Sequence, residues 1–322
     1  MELTPDFSIV INGGMDFPKE RLIDIQTNDQ AGIVSDSCEF ELDDFDNALR
    51  MPNTEAKIEL SLGYKETGLT KIGTYFVKEI FIDGARRLVR IKANAACKAM
   101  MSQKTKTNEG NLSDIVSDVA GALGLDGVVD TFLGNEKREN DAQFGESDIN
   151  YLTRVANKVG GVVKPIDGHL VFANDMSAKS TSGQQLPTKY IDASEVSNYT
   201  CSFKETETGG GTGTIYANWF DKKTGEYHLI HVGSGDPQTE LNEIFSTEKE
   251  AQAAASSRVE KVTKNNTVFR FSIAGHPDLF AESPLILQNF NPKIPTKWII
   301  GSVRHSFSKS GFTTEVECNQ PT

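Results

Sequence analysis

Between Ile23 and Gly84 the chain alternates apolar and polar residues with period two, and this limits its fold more than any other feature. Residues 38–42 (CEFEL) and 56–62 (AKIELSL) place apolar side chains on one face and polar ones on the other, as half-buried antiparallel strands require. A further strand at 73–80 leads through Asp83-Gly84 into 88–94, and the Asp-Gly pair predicts a hairpin. Between the first two strands, residues 43–53 (DDFDNALRMPN) read as a compact turn. Asp and Asn side chains hydrogen-bond their own backbone at such reversals. Together these segments predict a small antiparallel barrel, closed or nearly closed.

The middle of the chain changes period. Residues 102–110 read as a polar loop, and apolar residues at 112, 115, 116, 119, 120 and 123 then fall at helical spacing, with Asn111 or Ser113 as cap and Gly124 as stop. A second helix starts at Glu146-Ser147-Asp148, where Ser147 can cap, and stops at Gly160-Gly161. Residues 162–173 predict a hairpin around Asp167-Gly168, completing an α+β unit that a polar linker at 177–188 follows. Strand patterning resumes at about 189, with strands at 199–207 and 213–221 assigned to the same sheet unit. An Ala-rich helix from Ser246 to Val262 interrupts it. The fold class is mainly β with α+β.

A chain of 322 residues is long enough for two or three domains. No apolar run approaches the roughly 18 residues of a membrane span, and the first residues lack the pattern of an export signal, so synthesis and use in the cytoplasm are expected. The net charge of -12, without a block of Lys or Arg interleaved with aromatics, argues against tight nucleic-acid binding. Cys38, Cys97, Cys201 and Cys318 have no metal-ligand spacing and read as reduced, buried or half-buried thiols. The run Gly209-Gly210-Gly211-Thr212-Gly213 lacks the Lys-Ser or Lys-Thr of a phosphate loop and reads as a strand connection. His228 and His231 project to opposite faces of a strand, and His169, His276 and His305 are isolated, so no metal centre is expected. Glu146 and Asp148 are the best carboxylate pair, but two residues apart at a helix start they diverge and suit capping better than catalysis. No catalytic residue, cofactor or metal is expected.

Three groups of residues occur in a telling order. The first comprises Asp29, Gly32, Asp36, Leu42-Asp43-Asp44, Pro52, Leu62-Gly63-Tyr64, Gly73, Val77 and Gly84. The second is Phe144-Gly145-Glu146-Ser147-Asp148 with Tyr151-Leu152, and the third runs from Trp298-Ile299-Ile300 through His305 to Gly311-Phe312-Thr313-Thr314. The ordered set resembles the late-control D family, baseplate hub proteins of contractile-tailed phages and phage-tail-like bacteriocins, related to the hub part of type VI secretion spikes. The resemblance covers nearly the whole chain.

It implies two similar antiparallel β-barrel tube domains, 1–98 and 179–322, flanking a small α+β domain at 99–178, with a helix-containing insertion at about 225–264 in the second barrel. It further implies a homotrimer whose pseudo-sixfold ring joins a sixfold tail tube to a threefold central spike. Other baseplate proteins and the tape measure protein are implied partners, DNA at most passes through the lumen, and there is no membrane insertion. Such a protein works in the tail baseplate of a virion or phage-tail-like particle after synthesis in the bacterial host cytoplasm. Family-motif or interface positions are Asp43, Asp44, Tyr64, Glu146, Ser147, Asp148, Trp298 and His305, with Asp44 a candidate for a subunit contact. The alternative is a tail-associated cell-wall hydrolase or glycan-binding module, which requires a glycan-sized pocket lined by Trp219 or Trp298 with paired carboxylates.

Overall fold

Strict alternation produces the sheet. In the strand Ser37–Asp43, Cys38, Phe40 and Leu42 are buried while their neighbours are half-buried, and Lys57–Tyr64 buries Ile58, Leu60 and Leu62 in the same way. These side chains form one core with Ile25, Val77, Val89 and Ile91. The computed structural model describes residues 3–321 except 13–14, 32–34, 97, 167, 175–185, 204–212, 237 and 265–266. The glycine run at 209–211, Cys97 and Gly32 therefore lie outside the described residues.

A 13-stranded, largely antiparallel sheet dominates the molecule. Its path runs through Val196–Phe203, Thr267–Ala274, Gly311–Asn319 and Lys297–Ser308 from the C-terminal part of the chain. It continues without a break into Leu22–Gln30, Ser37–Asp43, Leu88–Asn94, Gly68–Asp83, Lys57–Tyr64, Pro5–Ile11 and Met15–Asp16. Among the described residues this path is open, because Leu22–Gln30 pairs along its outer side with Lys297–Ser308, from Ser302 opposite Gln30 to Ser308 opposite Asp24. The two β-rich ends of the chain thus share one ladder.

The strand Lys297–Ser308 also serves two cores. Trp298, Ile300 and Val303 pack with Phe269, Phe271, Leu285 and Val316, while Phe307 reaches into the N-terminal core beside Phe7 and Phe312.

The acidic stretch after Asp43 differs from the expected turn. Ser37–Asp43 pairs with Leu22–Gln30 and Leu88–Asn94, whereas Lys57–Tyr64 pairs with Pro5–Ile11 and Gly68–Asp83. The connection therefore crosses two strands instead of joining neighbours. Its local chemistry is still that of Asp-rich turns: Asp43, Asp44 and Asp46 accept the backbone N–H groups of Phe45, Leu49 and Ala48 at 3.0, 2.9 and 3.1 Å. Alternation fixes which face is buried, and it is silent about which strand lies alongside.

The α+β unit forms largely as its sequence indicates. The helix Leu112–Ala122 buries Leu112, Ile115, Val116, Val119 and Ala120; Asn111 occupies the cap position without a side-chain bond. In the helix Asp148–Val159 the Ser147 hydroxyl accepts the Asn150 N–H, and Gly160 ends the helix at φ 73°, a left-handed conformation that glycine adopts readily. Gly161–Ile166 and His169–Asn174 form the hairpin. The loop expected at 102–110 is instead the strand Gln103–Asn111, paired with Lys137–Ser147. Only Asn108 is buried along it, so no alternation marked it.

The strand Gly213–Asp221, expected in the C-terminal β unit, lies in a separate three-stranded sheet. It pairs with Glu226–Ser234 and with Gln238–Phe245. The helix Glu248–Lys264 covers that sheet, closing a core of Ile215, Ala217, Phe245, Ala251 and Ala255.

Candidate functional site

The N-terminal β unit, the C-terminal β unit and the α+β unit meet at Lys164. This residue sits in Gly161–Ile166, a strand buried along its first five residues, so its ammonium must find partners inside the protein. Its Nζ lies 2.5 Å from the Asp36 carboxylate and 3.0 Å from that of Asp29, and it donates to the Gln30 carbonyl at 2.6 Å. The second Asp29 oxygen accepts the backbone N–H of Ala281 at 2.8 Å, from the C-terminal unit. One aspartate thereby ties both other units to its own strand.

Two carboxylates and one ammonium leave an excess negative charge in a buried place, and a proton removes it. Burial, and then the Asp29 charge, push Asp36 up to about 8, so it is protonated at neutral pH. Burial by itself would lower Lys164; the two aspartates outweigh that and hold it above its ordinary value. Nearby, His305 is 2% exposed, its Nδ1 is 2.9 Å from the Thr314 hydroxyl, and burial pushes it down to about 4.

These groups set opposite pH slopes. The Asp36 contribution is complete below its unfolded pKa near 4 and is lost as pH rises through 8, whereas that of His305 is complete above 6.5 and is lost as pH falls toward 4. Between about 4 and 6.5 the two slopes oppose each other, each at about 1.4 kcal/mol per pH unit. Thermal unfolding should therefore show little pH dependence from this pair in acid and a decline from about 6.5 to 8. Asp36→Asn should abolish the decline; an unchanged profile in that variant would show that Asp36 titrates normally.

A second seam lies beside the first. The Tyr64 hydroxyl donates to the Gly275 carbonyl at 2.8 Å, and the Gly275 N–H donates to the Phe312 carbonyl at 2.8 Å. The Phe312 ring is 5.8 Å from both Tyr64 and His305, and a Cβ placed on Gly275 would lie 2.0 Å from it.

Of the residues singled out from sequence, the structure gathers Tyr64 and His305 around Phe312, brings Asp29 and Asp36 together on Lys164, and leaves Asp43, Asp44, Glu146, Ser147, Asp148 and Trp298 apart from both groups. Asp43 and Asp44 organise the crossover, and Asp44, 6% exposed, has Arg21 3.8 Å away in the same chain. Glu146 pairs with Arg154 at 2.7 Å, and Ser147 caps its helix. Asp148 is fully buried, bonded to Lys104 and accepting Gln143 Nε2 at 3.1 Å, so it braces the helix against the strand pair beside it. Trp298 fills the C-terminal core, with its indole N–H on the Pro295 carbonyl at 2.7 Å. No motif or spacing in the sequence points to Lys164 or Gly275. A lone lysine inside the apolar run Val162-Val163-Lys164-Pro165-Ile166 was the available signal.

The solvent side of the wide sheet carries paired charges. Arg90 sits 2.9 Å from each of Glu39 and Glu41, Arg270 pairs with Glu317 at 2.7 Å, and Arg304 bonds Gln26.

Both ends of the chain are thus held in one wide sheet, and the Lys164 cluster ties the α+β unit to it. Residues 88–311 match the phage tail baseplate hub (GPD) family, and the chain belongs to that family. It is 26% identical to the probable baseplate hub protein of Escherichia phage P2, across 98% of this chain and 93% of that protein. The tail protein from Neisseria meningitidis MC58 has the same fold, with a TM-score of 0.73 at 12% identity, covering 98% of this chain and 97% of the other. So does the E. coli c3393 protein, a component of the type VI secretion system, with a TM-score of 0.61 at 10% identity, covering 98% and 77%. The protein is a structural component of the virion baseplate of contractile tails and not an enzyme.

Proposed function

We propose that the chain is the central hub of the baseplate, a homotrimer that joins a sixfold tail tube to a threefold spike. The observation that carries this reading is the shared ladder of Leu22–Gln30 and Lys297–Ser308, which fixes two β-rich units in one plate. Three such plates supply six β units around an axis, the number needed to match a sixfold tube to a threefold spike. In this reading residues 1–98 and 179–322 are two similar barrel-like tube domains, residues 99–178 are the α+β domain between them, and the helix-containing insertion, expected at about 225–264 and including the strand Gly213–Asp221 in the structure, lies outside the second tube domain. The strand Val196–Phe203 ends the sheet, with Tyr199 and Phe203 exposed, and a neighbouring subunit would cover such an edge.

The spike, the tube protein, other baseplate proteins and the tape measure protein are its partners. Asp43, Asp44, Glu146, Ser147, Asp148 and Trp298 shape the surfaces that meet them from within the fold, and Tyr64 and His305 keep the two β units in register. The paired charges on the sheet's solvent side suit a lumen wall, because cations already engaged by carboxylates hold phosphates weakly and let DNA pass.

Light scattering on the purified protein, alone and with the spike protein, tests the assembly. The expected mass is three times the 35.3 kDa chain, rising further with the spike. A monomer that neither trimerises nor binds the spike would overturn the reading.

A further inference from the structure

The inserted sheet and the α+β unit meet without a common core. Ile215, Ala217, Phe245, Ala251 and Ala255 close one core, Val116, Tyr151, Leu152 and Phe172 belong to the other, and no described residue is part of both. Among the described residues the inserted sheet also forms no ladder with the wide sheet. Charge crosses the boundary instead. Arg138 Nη1 lies 3.1 Å from Glu250, Lys158 Nζ lies 2.7 Å from Glu243, and Lys249 bonds Glu136 while sitting over the Phe132 ring at 5.3 Å.

Clefts flank these contacts. One of about 370 Å³ lies between Asn157 and Lys158 on one side and Leu241, Glu243 and Arg258 on the other. A second, of about 550 Å³, separates the start of the strand Lys137–Ser147 from Trp219 and the start of the helix Glu248–Lys264. Lys158 borders both, so solvent and salt reach the boundary from two sides. Ion pairs within reach of solvent are weak and easily screened: the screening length falls from roughly 10 Å at 0.1 M salt to roughly 3 Å at 1 M. The innermost contact is also incomplete, because Arg138 is buried against Glu250 while its Nε has no hydrogen-bonded acceptor in the protein. An unmet donor penalises the closed arrangement, and opening hydrates it.

The joint on the other side of the α+β unit is of a different kind. Lys164 is buried and held by two aspartates and a carbonyl, so salt screens it far less. Between the two joints, the contacts to the inserted sheet are the ones that yield first. We propose that the α+β unit and the inserted sheet form a jaw held shut by an ionic latch of Arg138–Glu250, Lys158–Glu243 and Lys249–Glu136, which salt or a competing charged surface opens while the Lys164 joint stays closed. The inserted sheet can then change its position against the rest of the chain with both cores intact. The latch goes beyond the hub role and does not depend on it.

Hydroxyl-radical footprinting of the full chain tests the latch, because it reads the exposure of Trp219 and Leu241, which line the two clefts, against the 84% exposed Phe144 as reference. Raising NaCl from about 0.05 M to about 1 M should increase oxidation of both by about twofold or more relative to Phe144. Hydrogen exchange in Gly213–Asp221 and Gly161–Ile166 should stay the same, since both units remain folded. Lys158→Glu should raise the same two signals already at low salt, by setting two carboxylates against each other. Adding Glu243→Lys restores the pair in reverse and should return both signals to the parent's level. Oxidation indifferent to salt, a Lys158→Glu protein that behaves as the parent, or a double variant that stays open would each overturn the proposal. So would faster exchange in either strand, which would make the change an unfolding of a unit.

Discussion

Replacing Lys164 with Met should destabilise the folded chain by about 3–5 kcal/mol, the effect of removing one partner from a buried ion cluster. The ammonium binds Asp29, Asp36 and the Gln30 carbonyl, and Met offers nothing to any of them. Asp29 would keep its bonds to the Ala281 N–H and to Asp36, but its charge would lose the ammonium that balances it. Asp36→Asn alone should be mild, because Asp36 already carries a proton at neutral pH. In the Lys164→Met background it should change little further, since without the ammonium Asp36 holds its proton still more firmly. Multi-unit chains need not unfold in two states, so the loss is best read as a lower first melting transition with faster hydrogen exchange in Gly161–Ile166. A Lys164→Met protein that melts with the wild type would show that the cluster contributes nothing to the joint.

What the sequence reveals and what it conceals divide along the range of the interactions. Ser147 and Gly160 mark their helix ends because capping involves residues three or four apart. The hairpin at Asp83 is legible for the same reason: its carboxylate accepts the N–H groups of Ala85 and Arg86 at 3.1 and 3.0 Å. Strand pairing is not local. The alternation in Ser37–Asp43 is identical whether its neighbour is Lys57–Tyr64 or Leu88–Asn94, and only the folded sheet chooses. Gly213–Asp221 has an apolar face that either sheet could bury, and the nearby Ala-rich helix claims it. The junction was the least legible feature. Asp29 and Asp36 stand out as family positions, but their partner lies more than a hundred residues away, beyond the reach of any spacing rule.

Gly275→Ala should weaken the second seam between the β units, by about 1–3 kcal/mol or more if neither side can withdraw. The added methyl would fall 2.0 Å from the Phe312 ring, far inside van der Waals contact. Retreat is hindered on both sides. The Gly275 backbone is held through its carbonyl by Tyr64 and through its N–H by Phe312, while the Phe312 ring is flanked by Tyr64, His305 and Phe307 at 5.8, 5.8 and 5.9 Å. A double-mutant cycle with Phe312→Leu separates steric conflict from general loss of packing. Phe312→Leu alone should destabilise through the ring it removes, yet the pair should melt higher than the sum of the two single losses predicts, because the smaller side chain makes room for the methyl. Since the seam lies beside the ladder that joins the two β units, Gly275→Ala should also loosen the joint between them before it alters either core. Additive losses across the cycle, or a Gly275→Ala protein as stable as the parent, would show that the glycine is not wedged against the ring.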